Sequence, residues 1–324
     1  MTSAFQSPLE DKLPIISMMP LQTSDADSRQ LLADSLRDTC LNTGFFYISD
    51  HGISDELIGE VFAASRRFFS LPETDKMKVD KAHSPANRGY ESLRGQTLEP
   101  GSPPDLKEGF YIGEDIAEGD PRLSQGHFNQ GMNQWPEGQP EFREVMTRYY
   151  QLMTALSTRI MNALALSLGL KEDYFADFCH EAQATLRLLH YPPQPRKPAP
   201  GEKGCGAHTD FGGITILLLD DNPGLQVWDR SAERWLDVNP IPGTFVVNLG
   251  DMIARWTNDR YHSTVHRVVN ISGKERYSVP FFFTGAPSHE VRCLPCCLEE
   301  GESPKYPPTT VEAHIREMYR RTYA

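Results

Sequence analysis

The sequence predicts an α+β protein in which helices precede an antiparallel barrel or jelly roll. In the first half of the 324-residue chain, apolar residues recur every three to four positions, as they do on one face of a helix. In the second half, short apolar runs alternate with turn signals such as "DDNPG" and "ISGKE". Many short strands joined by tight turns are typical of antiparallel barrels and jelly rolls.

The N-terminal elements are predicted from apolar stripes and from the residues that end them. Leu31, Leu32, Leu36 and Cys40 fall on one face of a first helix, and Gly44 suits its C-terminal stop. The segment "GFFYISD" that follows is predicted to form a strand. A second helix is predicted after a capping serine, with an apolar stripe that comprises Leu57, Ile58, Val61, Phe62, Phe68 and Phe69.

The middle of the chain is predicted to contain one long loop and one long helix. Residues 82–107 lack periodicity and are rich in Gly, Pro, Ser and Arg, and such loops in compact domains are commonly functional or mobile. A long amphipathic helix is predicted from Glu141 to Leu170, with its methionines packed in the core. The strands predicted after it are "ITILLL", "LQVW", "WLDV", "FVVNL", "STVHRVVN" and "YSVPFFF".

Charge and hydropathy argue against several classes of function. The net charge of −12 argues against a partner bound mainly through phosphates, because such binding needs a basic footprint. No apolar run approaches the ~18 residues that a membrane helix needs. The N-terminal segment "MTSAFQSPLEDKLP" has no basic region followed by an apolar stretch. We therefore expect no secretory signal and a cytoplasmic location.

The cysteines are not predicted to form disulfides or a metal site. Six cysteines in a chain of this length do not make a disulfide scaffold, and a cytosolic setting keeps thiols reduced. Cys293, Cys296 and Cys297 in "RCLPCC" resemble a metal motif only superficially, because a lone CxxC lacks a second pair at zinc-ligand spacing.

A histidine and an aspartate stand at the entrance to an apolar strand in "GAHTDFGGITILLLDD". His208 and Asp210 are two residues apart, so in an extended strand their side chains point the same way. For an isolated HxD pair, a surface pair at a strand end is the usual interpretation. His266 changes this, because two histidines and one carboxylate on separate barrel strands form the facial triad of non-haem Fe(II) sites.

His262 competes with His266 for the role of the distal ligand. In "HSTVH" the two imidazoles would share one face of a helix, four residues apart. The surrounding Thr264, Val265 and Val268 favour a strand over a helix, which makes His266 the better candidate.

A guanidinium follows the distal histidine on another predicted strand. Arg276 and Ser278 in "RYSVPFFF" share one strand face, and their apolar neighbours indicate that this face is partly buried. A buried guanidinium needs an anionic partner, and arginine can hold a carboxylate by two parallel hydrogen bonds. The alternative is an ion pair with one of the protein's own carboxylates.

The order HxD, a distal His followed by Arg, and RxS resembles the 2-oxoglutarate/Fe(II)-dependent dioxygenase superfamily, and more closely its isopenicillin N synthase-like branch. The resemblance covers nearly the whole chain. It includes the N-terminal segments "LPIIS", "GFFYISDHGI", "FFSLP" and "NQWP" and the later segments "LRLLHYPP", "GLQVW" and "NLGDMIARWTNDRYHSTVHRV".

The resemblance implies an α+β fold with a double-stranded β-helix (jelly-roll) core flanked by helices. Residues 1–130 would form a mixed N-terminal region of helices and short strands that packs on the barrel. Residues 131–324 would supply the long helix and the catalytic jelly roll, and the two parts would make one structural unit. His208, Asp210 and His266 would bind Fe(II).

The resemblance also implies a cosubstrate site. Arg276 and Ser278 would grip the distal carboxylate of 2-oxoglutarate, and Tyr191 would lie near it. Many relatives carry an asparagine where this chain has Leu189, so the contacts at the keto end of the cosubstrate differ here. Some relatives keep the RxS motif without using 2-oxoglutarate, so the motif alone does not fix the cosubstrate.

The activity implied is that of a dioxygenase which oxidises a C–H bond of a small molecule and releases succinate and CO2. O2 would be the oxidant, with ascorbate as a candidate additional reductant. Hydroxylation is the default outcome, and desaturation and cyclisation are variants. Two alternatives remain: an Fe(II) oxidase of the isopenicillin N synthase type that does not use 2-oxoglutarate, and a catalytically silent barrel that binds a small ligand.

The substrate pocket is the least determined part of the sequence. The resemblance implies that Phe283 lines it, and Arg88, Tyr90 and Phe110 are weaker candidates that serve equally well as packed or solvated loop residues. The acidic composition and the resemblance favour a small molecule over nucleic acid or protein as the partner. The oligomeric state is not predicted.

Overall fold

A computed structural model describes residues 12–195 and 197–322 of the chain. The N-terminal residues on which the prediction of no secretory signal largely depends lie outside the described part. The α-helices of the described part are α1 (Ala26–Asn42), α2 (Asp55–Phe69), α3 (Glu73–Lys76), α4 (Pro140–Ser167), α5 (Ala176–Cys179), α6 (Asp251–Trp256) and α7 (Val311–Thr322). None of them combines the length and apolar character needed to cross a bilayer.

The strands belong to a large sheet, a small sheet and a two-stranded ribbon. Those of the large sheet are β1 (Ile15–Ser17), β2 (Phe45–Ser49), β3 (Gly89–Glu91), β4 (Glu108–Ile112), β5 (Gln183–Tyr191), β7 (Ile214–Leu219), β10 (Phe245–Leu249) and β12 (Arg276–Gly285). Those of the small sheet are β6 (Cys205–His208), β8 (Leu225–Asp229), β9 (Arg234–Val238) and β11 (His266–Val268), and the ribbon pairs β13 (Glu290–Val291) with β14 (Thr309–Thr310).

The two larger sheets form the predicted jelly roll. The large sheet has the order β1-β2-β10-β7-β12-β5-β4-β3, and the small sheet has the order β6-β11-β8-β9. All their pairings are antiparallel except that of β1 with β2. The α+β jelly-roll prediction is therefore confirmed.

Two hydrophobic cores lie on the two faces of the large sheet. The inner core contains residues from both sheets: Leu13, Phe45, Tyr47, Leu189, Tyr191, Cys205, Leu225, Val227, Val238, Val246 and Val268. The outer core joins the other face of the large sheet to the helices, and α4 supplies Phe142, Met146, Met153, Ile160 and Met161 to it. Because both faces are covered, the central strands are almost wholly apolar, as "FVVNL" and "ITILLL" are apart from Asn248 and Thr215.

Helix α1 shows why the predicted stripe was partly wrong. Asp25 caps its N-terminus by accepting a hydrogen bond from the Ser28 amide. Leu32, Leu36 and Cys40 are buried, as predicted, but Leu31 is 71% exposed. Leu32, Leu36 and Cys40 are four residues apart and therefore lie on one face of the helix. Leu31 is rotated from Leu32 by about 100° around the helix axis, which places it outside the buried face.

The N-terminal part of the chain completes the large sheet at both edges. Strands β1 and β2 extend it beyond β10, and β3 and β4 extend it beyond β5. The predicted loop 82–107 contains β3, and its end leads directly into β4. The segment "STVHRVVN" is a strand only from His266 to Val268.

Candidate metal and cosubstrate site

Three predicted ligands converge where the small sheet meets the large one. His208 ends β6, Asp210 lies in the turn before β7, and His266 begins β11. His266 pairs directly with His208 in the antiparallel register of β11 and β6. One ligand atom from each of the three residues lies within 4.8 Å of those of the other two.

The carboxylate of Asp210 is oriented by two hydrogen bonds. Thr215 Oγ1 and Asn248 Nδ2 donate to Asp210 Oδ2 at 2.6 and 2.7 Å. The other oxygen, Oδ1, lies 3.7 Å from His208 Nε2 and 3.8 Å from His266 Nε2. Asp210 Oδ1 and the two Nε2 atoms therefore face one point, at which a metal ion can bind.

Backbone carbonyls set which imidazole nitrogen faces that point. Nδ1 of His208 lies 2.8 Å from the Gly206 carbonyl oxygen, and Nδ1 of His266 lies 3.2 Å from that of Thr264. A carbonyl only accepts, so each Nδ1 carries the proton and each Nε2 presents its lone pair.

Burial makes both imidazoles neutral, as metal ligands must be. It lowers the pKa of His208, and, together with the neighbouring His208, it lowers the pKa of His266 to about 4. Burial alone would raise the pKa of Asp210, but the two histidines and the hydrogen bonds from Asn248 and Thr215 hold that pKa below its ordinary value. The donor set is thus two neutral imidazoles and one carboxylate on one side of the ion, which fits Fe(II) and leaves coordination positions for other ligands.

His262 does not join this cluster. Its backbone N–H donates to the Cys40 carbonyl, and its Nδ1 lies 3.5 Å from Arg230 Nη1. Among the described residues, the triad is the one group of three or more His, Cys, Asp or Glu side chains arranged to hold a metal. The preference for His266 over His262 agrees with this geometry.

Arg276 lies on β12 with a guanidinium that is almost completely buried. It is 1% exposed, and its Nε and Nη1 have no hydrogen-bond partner in the described part of the chain. Its Cζ lies 4.9 Å from the ring centroid of Tyr191, which pairs with it across β5 and β12. Ser278 follows two residues later, so its side chain is on the same face of the strand.

The geometry around Arg276 fits a bound carboxylate. Two buried guanidinium nitrogens without partners carry a large desolvation cost, which an anionic ligand would offset. The alternative of an internal ion pair finds no support, because no described carboxylate pairs with Arg276. The site therefore has the features that a dicarboxylate such as 2-oxoglutarate requires: three side chains that can hold a metal, and a buried guanidinium without an ion-pair partner.

Sequence reasoning missed two residues that orient the triad carboxylate and one buried lysine beside β6. Asn248 and Thr215 are polar side chains inside otherwise apolar strands, and this interruption is the signal that could have identified them. Lys107 is 3% exposed, forms an ion pair with Asp105 and lies 3.7 Å from the sulfur of Cys205. Nothing in the sequence distinguishes Lys107 from an ordinary solvated loop lysine.

A pocket of about 760 Å³, measured to include its open mouth, adjoins His208 and Asp210. Its apolar walls come from Leu98, Ala184, Phe211, Phe282, Ile315 and Tyr319, and its polar lining from Arg88, Gln96, Asn129, Gln183, Thr185, Arg187, Thr209 and Thr284. Ile315 and Tyr319 belong to α7, so the C-terminal helix forms part of this wall.

Of the four residues predicted for the substrate pocket, the structure places only Arg88 in its lining. Phe283 is wholly buried in the outer core, 5.9 Å from Phe178 between ring centroids, because alternate residues of a strand face opposite sides. Its neighbours Phe282 and Thr284 line the pocket instead. The prediction for Phe283 is therefore wrong.

The predictions for Tyr90 and Phe110 are corrected in the same way. Tyr90 is 1% exposed and donates its hydroxyl to Glu108 Oε2 at 2.5 Å. Phe110 is wholly buried, with its ring centroid 4.6 Å from that of Phe68. Both side chains lie on the outer face of the large sheet and contribute to the core.

The cysteines of "RCLPCC" form no metal cluster with other described residues. Pro295–Cys297 is a short 3-10 helix. Cys297 is buried in the outer core, and the sulfur atoms of Cys296 and Cys297 lie 3.9 Å apart. All six cysteines are free thiols.

Two family profiles match the chain. Residues 13–138 match the non-haem dioxygenase in morphine synthesis N-terminal family, and residues 182–285 match the 2OG-Fe(II) oxygenase superfamily. The second match contains His208, Asp210, His266, Arg276 and Ser278.

Similar proteins extend over nearly the whole chain. A 2-oxoglutarate-Fe(II) type oxidoreductase of Emericella nidulans, hxnY, is 47% identical over 96% of this chain and 90% of its own length. The 2-oxoglutarate-dependent dioxygenase citB of Monascus ruber is 41% identical over 96% of this chain and 95% of its own. A full-length Neurospora crassa protein, whose crystal structure holds alpha-KG and thymine, is 29% identical, with a TM-score of 0.83 over 95% of this chain and 96% of that one.

Proposed function

The chain belongs to the 2OG-Fe(II) oxygenase superfamily and is a 2-oxoglutarate- and Fe(II)-dependent oxidoreductase, and we propose that it hydroxylates a C–H bond of a small molecule. The observation that carries the proposal is that two of the triad ligands, His208 and Asp210, line a pocket that combines apolar walls with a few polar groups. Desaturation and ring closure would need a substrate positioned for a second bond change, and no feature of the pocket favours them.

His208, Asp210 and His266 would hold the iron. The carbonyls of Gly206 and Thr264 fix the imidazole tautomers. These contacts, with the two hydrogen bonds to Asp210 Oδ2, keep the three ligand atoms aimed at one point before the metal binds.

Arg276 and Ser278 would hold the distal carboxylate of 2-oxoglutarate, with the Tyr191 ring packed beside the guanidinium. When bound, Fe(II) and 2-oxoglutarate supply the oxidant by reducing O2, with 2-oxoglutarate oxidised to succinate and CO2. The chain itself binds the two groups, orients the substrate in the pocket and limits the access of water.

Two observations support a small molecule as the substrate. The pocket combines apolar walls with a few polar groups, which is the usual composition of a small-molecule site. The similar Neurospora crassa protein, which shares the fold, was crystallised with alpha-KG and the small molecule thymine.

The proposal is tested by measuring succinate and O2 together. Purified protein with Fe(II), 2-oxoglutarate and a panel of small molecules should release succinate in proportion to O2 consumed, and one class of compound should increase the rate. The Asp210→Ala variant is the matched control and should release none. Mass spectrometry should find a product heavier than its substrate by one oxygen atom.

Two results would contradict the proposal. O2 consumption that requires a substrate but yields no succinate would indicate an oxidase that does not use 2-oxoglutarate. A product that lacks the added oxygen atom but has lost two hydrogen atoms would replace hydroxylation by desaturation or ring closure.

A further inference from the structure

Arg88 is a buried cation in the pocket beside the triad. It is 4% exposed and lines the same pocket as His208 and Asp210. Its Nη2 donates to the backbone carbonyl of Asn129 at 2.7 Å, whereas its Nε is buried without a partner. Within the described ranges, no carboxylate oxygen lies within 4.0 Å of its guanidinium nitrogens.

The other charged side chains of the pocket already have an oppositely charged neighbour or belong to the triad. Arg187 has Glu91 Oε2 at 3.6 Å and also contacts the hydroxyl of Tyr111. Asp210 belongs to the triad. Arg88 is therefore a positive charge for which the described part of the folded protein supplies no counter-ion, and burial lowers its pKa.

The position of the Arg88 guanidinium is fixed by the backbone. It lies against Gly113, where a Cβ atom would come within 1.9 Å of Nη2. Gly113 is held in turn by Asn133, which accepts from its N–H and donates to its carbonyl, both at 2.8 Å. Only glycine leaves room for the guanidinium there, so its orientation is built into the fold.

A buried, oriented guanidinium without a counter-ion is costly unless a ligand supplies the negative charge. A second unpartnered donor in the same pocket is Gln183 Nε2. One unpaired cation suits a singly charged carboxylate, which guanidinium groups hold by parallel hydrogen bonds. A phosphate dianion would leave one negative charge unpaired.

We infer that the substrate carries a carboxylate bound by Arg88 and an apolar body that extends along Phe211, Phe282 and Ile315 toward the triad. The inference rests on the proposed function, because it identifies the pocket as the substrate site. It restricts the substrate class to small carboxylic acids with an aromatic or aliphatic body.

The test compares acids with their neutral amides. Protein loaded anaerobically with Fe(II) and saturating 2-oxoglutarate, so that Arg276 is occupied, is titrated calorimetrically with benzoate, phenylacetate and 3-phenylpropionate. The matching carboxamides and phenyl phosphate are titrated in parallel. At least one acid should bind the wild type at least about tenfold more tightly than its amide.

The variants assign the discrimination to Arg88. Truncating one partner of a buried charge pair costs roughly 2–5 kcal/mol, so Arg88→Met should weaken binding of that acid by at least about 30-fold. Arg88→Lys keeps the charge but loses the planar fork, so its affinity for that acid should lie between those of the wild type and Arg88→Met. The control Arg148→Met removes an exposed arginine of α4 outside the pocket and should bind acids like the wild type.

Several outcomes would overturn the inference. Acids that bind no better than amides, or not at all, would remove the carboxylate requirement, and tighter binding of phenyl phosphate would change the ligand class. Acid preference that survives in Arg88→Met would place the anion elsewhere. If circular dichroism shows that Arg88→Met does not fold, the acid and amide affinities of Arg88→Lys decide whether Arg88 binds the carboxylate.

The same titrations separate this inference from the proposed function. If 2-oxoglutarate itself does not bind, the proposed function fails, and the comparison of acids with amides can still be made on the metal-free protein. If 2-oxoglutarate binds and supports succinate formation but acids are not preferred, only the assignment of Arg88 fails.

Discussion

Asn248 donates its side-chain amide to Asp210 Oδ2 at 2.7 Å, and both residues are buried. Asn248 belongs to β10 of the large sheet, whereas Asp210 follows β6 of the small sheet. The hydrogen bond therefore ties β10 to the turn that leads from the small sheet into β7, and it fixes the carboxylate rotamer that presents Oδ1 to both imidazoles.

Loss of this hydrogen bond should weaken metal binding without removing a ligand. We expect Asn248→Ala to lower Fe(II) affinity about 10- to 100-fold, the usual effect of a lost partner to a metal-binding side chain. Equilibrium dialysis against Fe(II) under anaerobic conditions measures it. Asn42→Ala, at the exposed end of α1, is the matched control. Unchanged affinity in Asn248→Ala would show that Thr215 alone orients Asp210.

Removal of any triad ligand should abolish turnover while the protein stays folded. His208→Ala, Asp210→Ala and His266→Ala each leave two ligands, which is too few for a facial site. Far-UV circular dichroism should remain that of the wild type, and bound iron should fall to background. His262→Ala should retain iron, because that ring faces Arg230 rather than the triad. The opposite result for His262 and His266 would refute the ligand assignment.

Arg276→Lys should weaken 2-oxoglutarate binding at least about tenfold. The change keeps the charge but loses the planar fork, so its cost should lie near the low end of roughly 2–5 kcal/mol. Titration of 2-oxoglutarate against succinate formation measures the effect, and iron binding should persist. Arg292→Lys is an exposed control. An unchanged titration with a lowered melting temperature would indicate a purely structural arginine.

Replacement of the "RCLPCC" cysteines should leave iron content and turnover near wild type. The combined variant Cys293→Ser, Cys296→Ser and Cys297→Ala uses alanine at the buried position, where a hydroxyl would lack a partner. Metal analysis and succinate release provide the measurements. A clear loss of bound iron would show that these thiols take part in metal binding after all.

Glu108→Gln should destabilise the fold at neutral pH. Its carboxylate receives Lys76 Nζ at 2.6 Å and Tyr90 Oη at 2.5 Å, and it lies 2.7 Å from His190 Nδ1. Removing one partner of a buried ion pair costs about 3–5 kcal/mol, since Lys76 is left uncompensated. Urea unfolding of both proteins at pH 7 gives the difference in the free energy of unfolding.

The same pair should show a characteristic pH dependence. Burial raises the pKa of Glu108, but the hydrogen bonds with His190, Lys76 and Tyr90 together lower it by more, so the folded pKa is below the ordinary value. The stabilisation is therefore complete above about pH 4.3, the unfolded pKa, and is lost as the pH falls through the folded pKa. The difference between wild type and Glu108→Gln should shrink over that acidic range. A difference independent of pH would show that the charge of Glu108 does not stabilise the fold.

Local periodicity predicted much of the site. Because side chains alternate between the two faces of a strand, Arg276 and Ser278 were predicted to share one face. The same alternation along β12 places Phe282 and Thr284 on that face, and both line the pocket. The prediction of Phe283 failed because it came from likeness to relatives rather than from this alternation.

Contacts between distant segments could not be predicted in the same way. Asn248 meets Asp210 and Lys107 meets Cys205 only because particular strands become neighbours in the folded sheets. A single sequence carries no local signal for such pairing. The absence of a counter-ion for Arg88 likewise becomes apparent only when the positions of all the described carboxylates are known.

The strand order has a consequence for how the enzyme can be made. Phe45 of β2 pairs with Asn248 of β10, roughly 200 residues later in the chain. Such high contact order predicts slow folding, because a long loop must close before the pairing stabilises anything. Until β12 has left the ribosome, the nascent chain exposes one unpaired edge of β5 and one of β7, because β12 pairs with both strands in the finished sheet. Exposed strand edges promote aggregation. Recombinant yield should therefore depend on chaperones and on slow, cool expression more than on the stability of the finished fold.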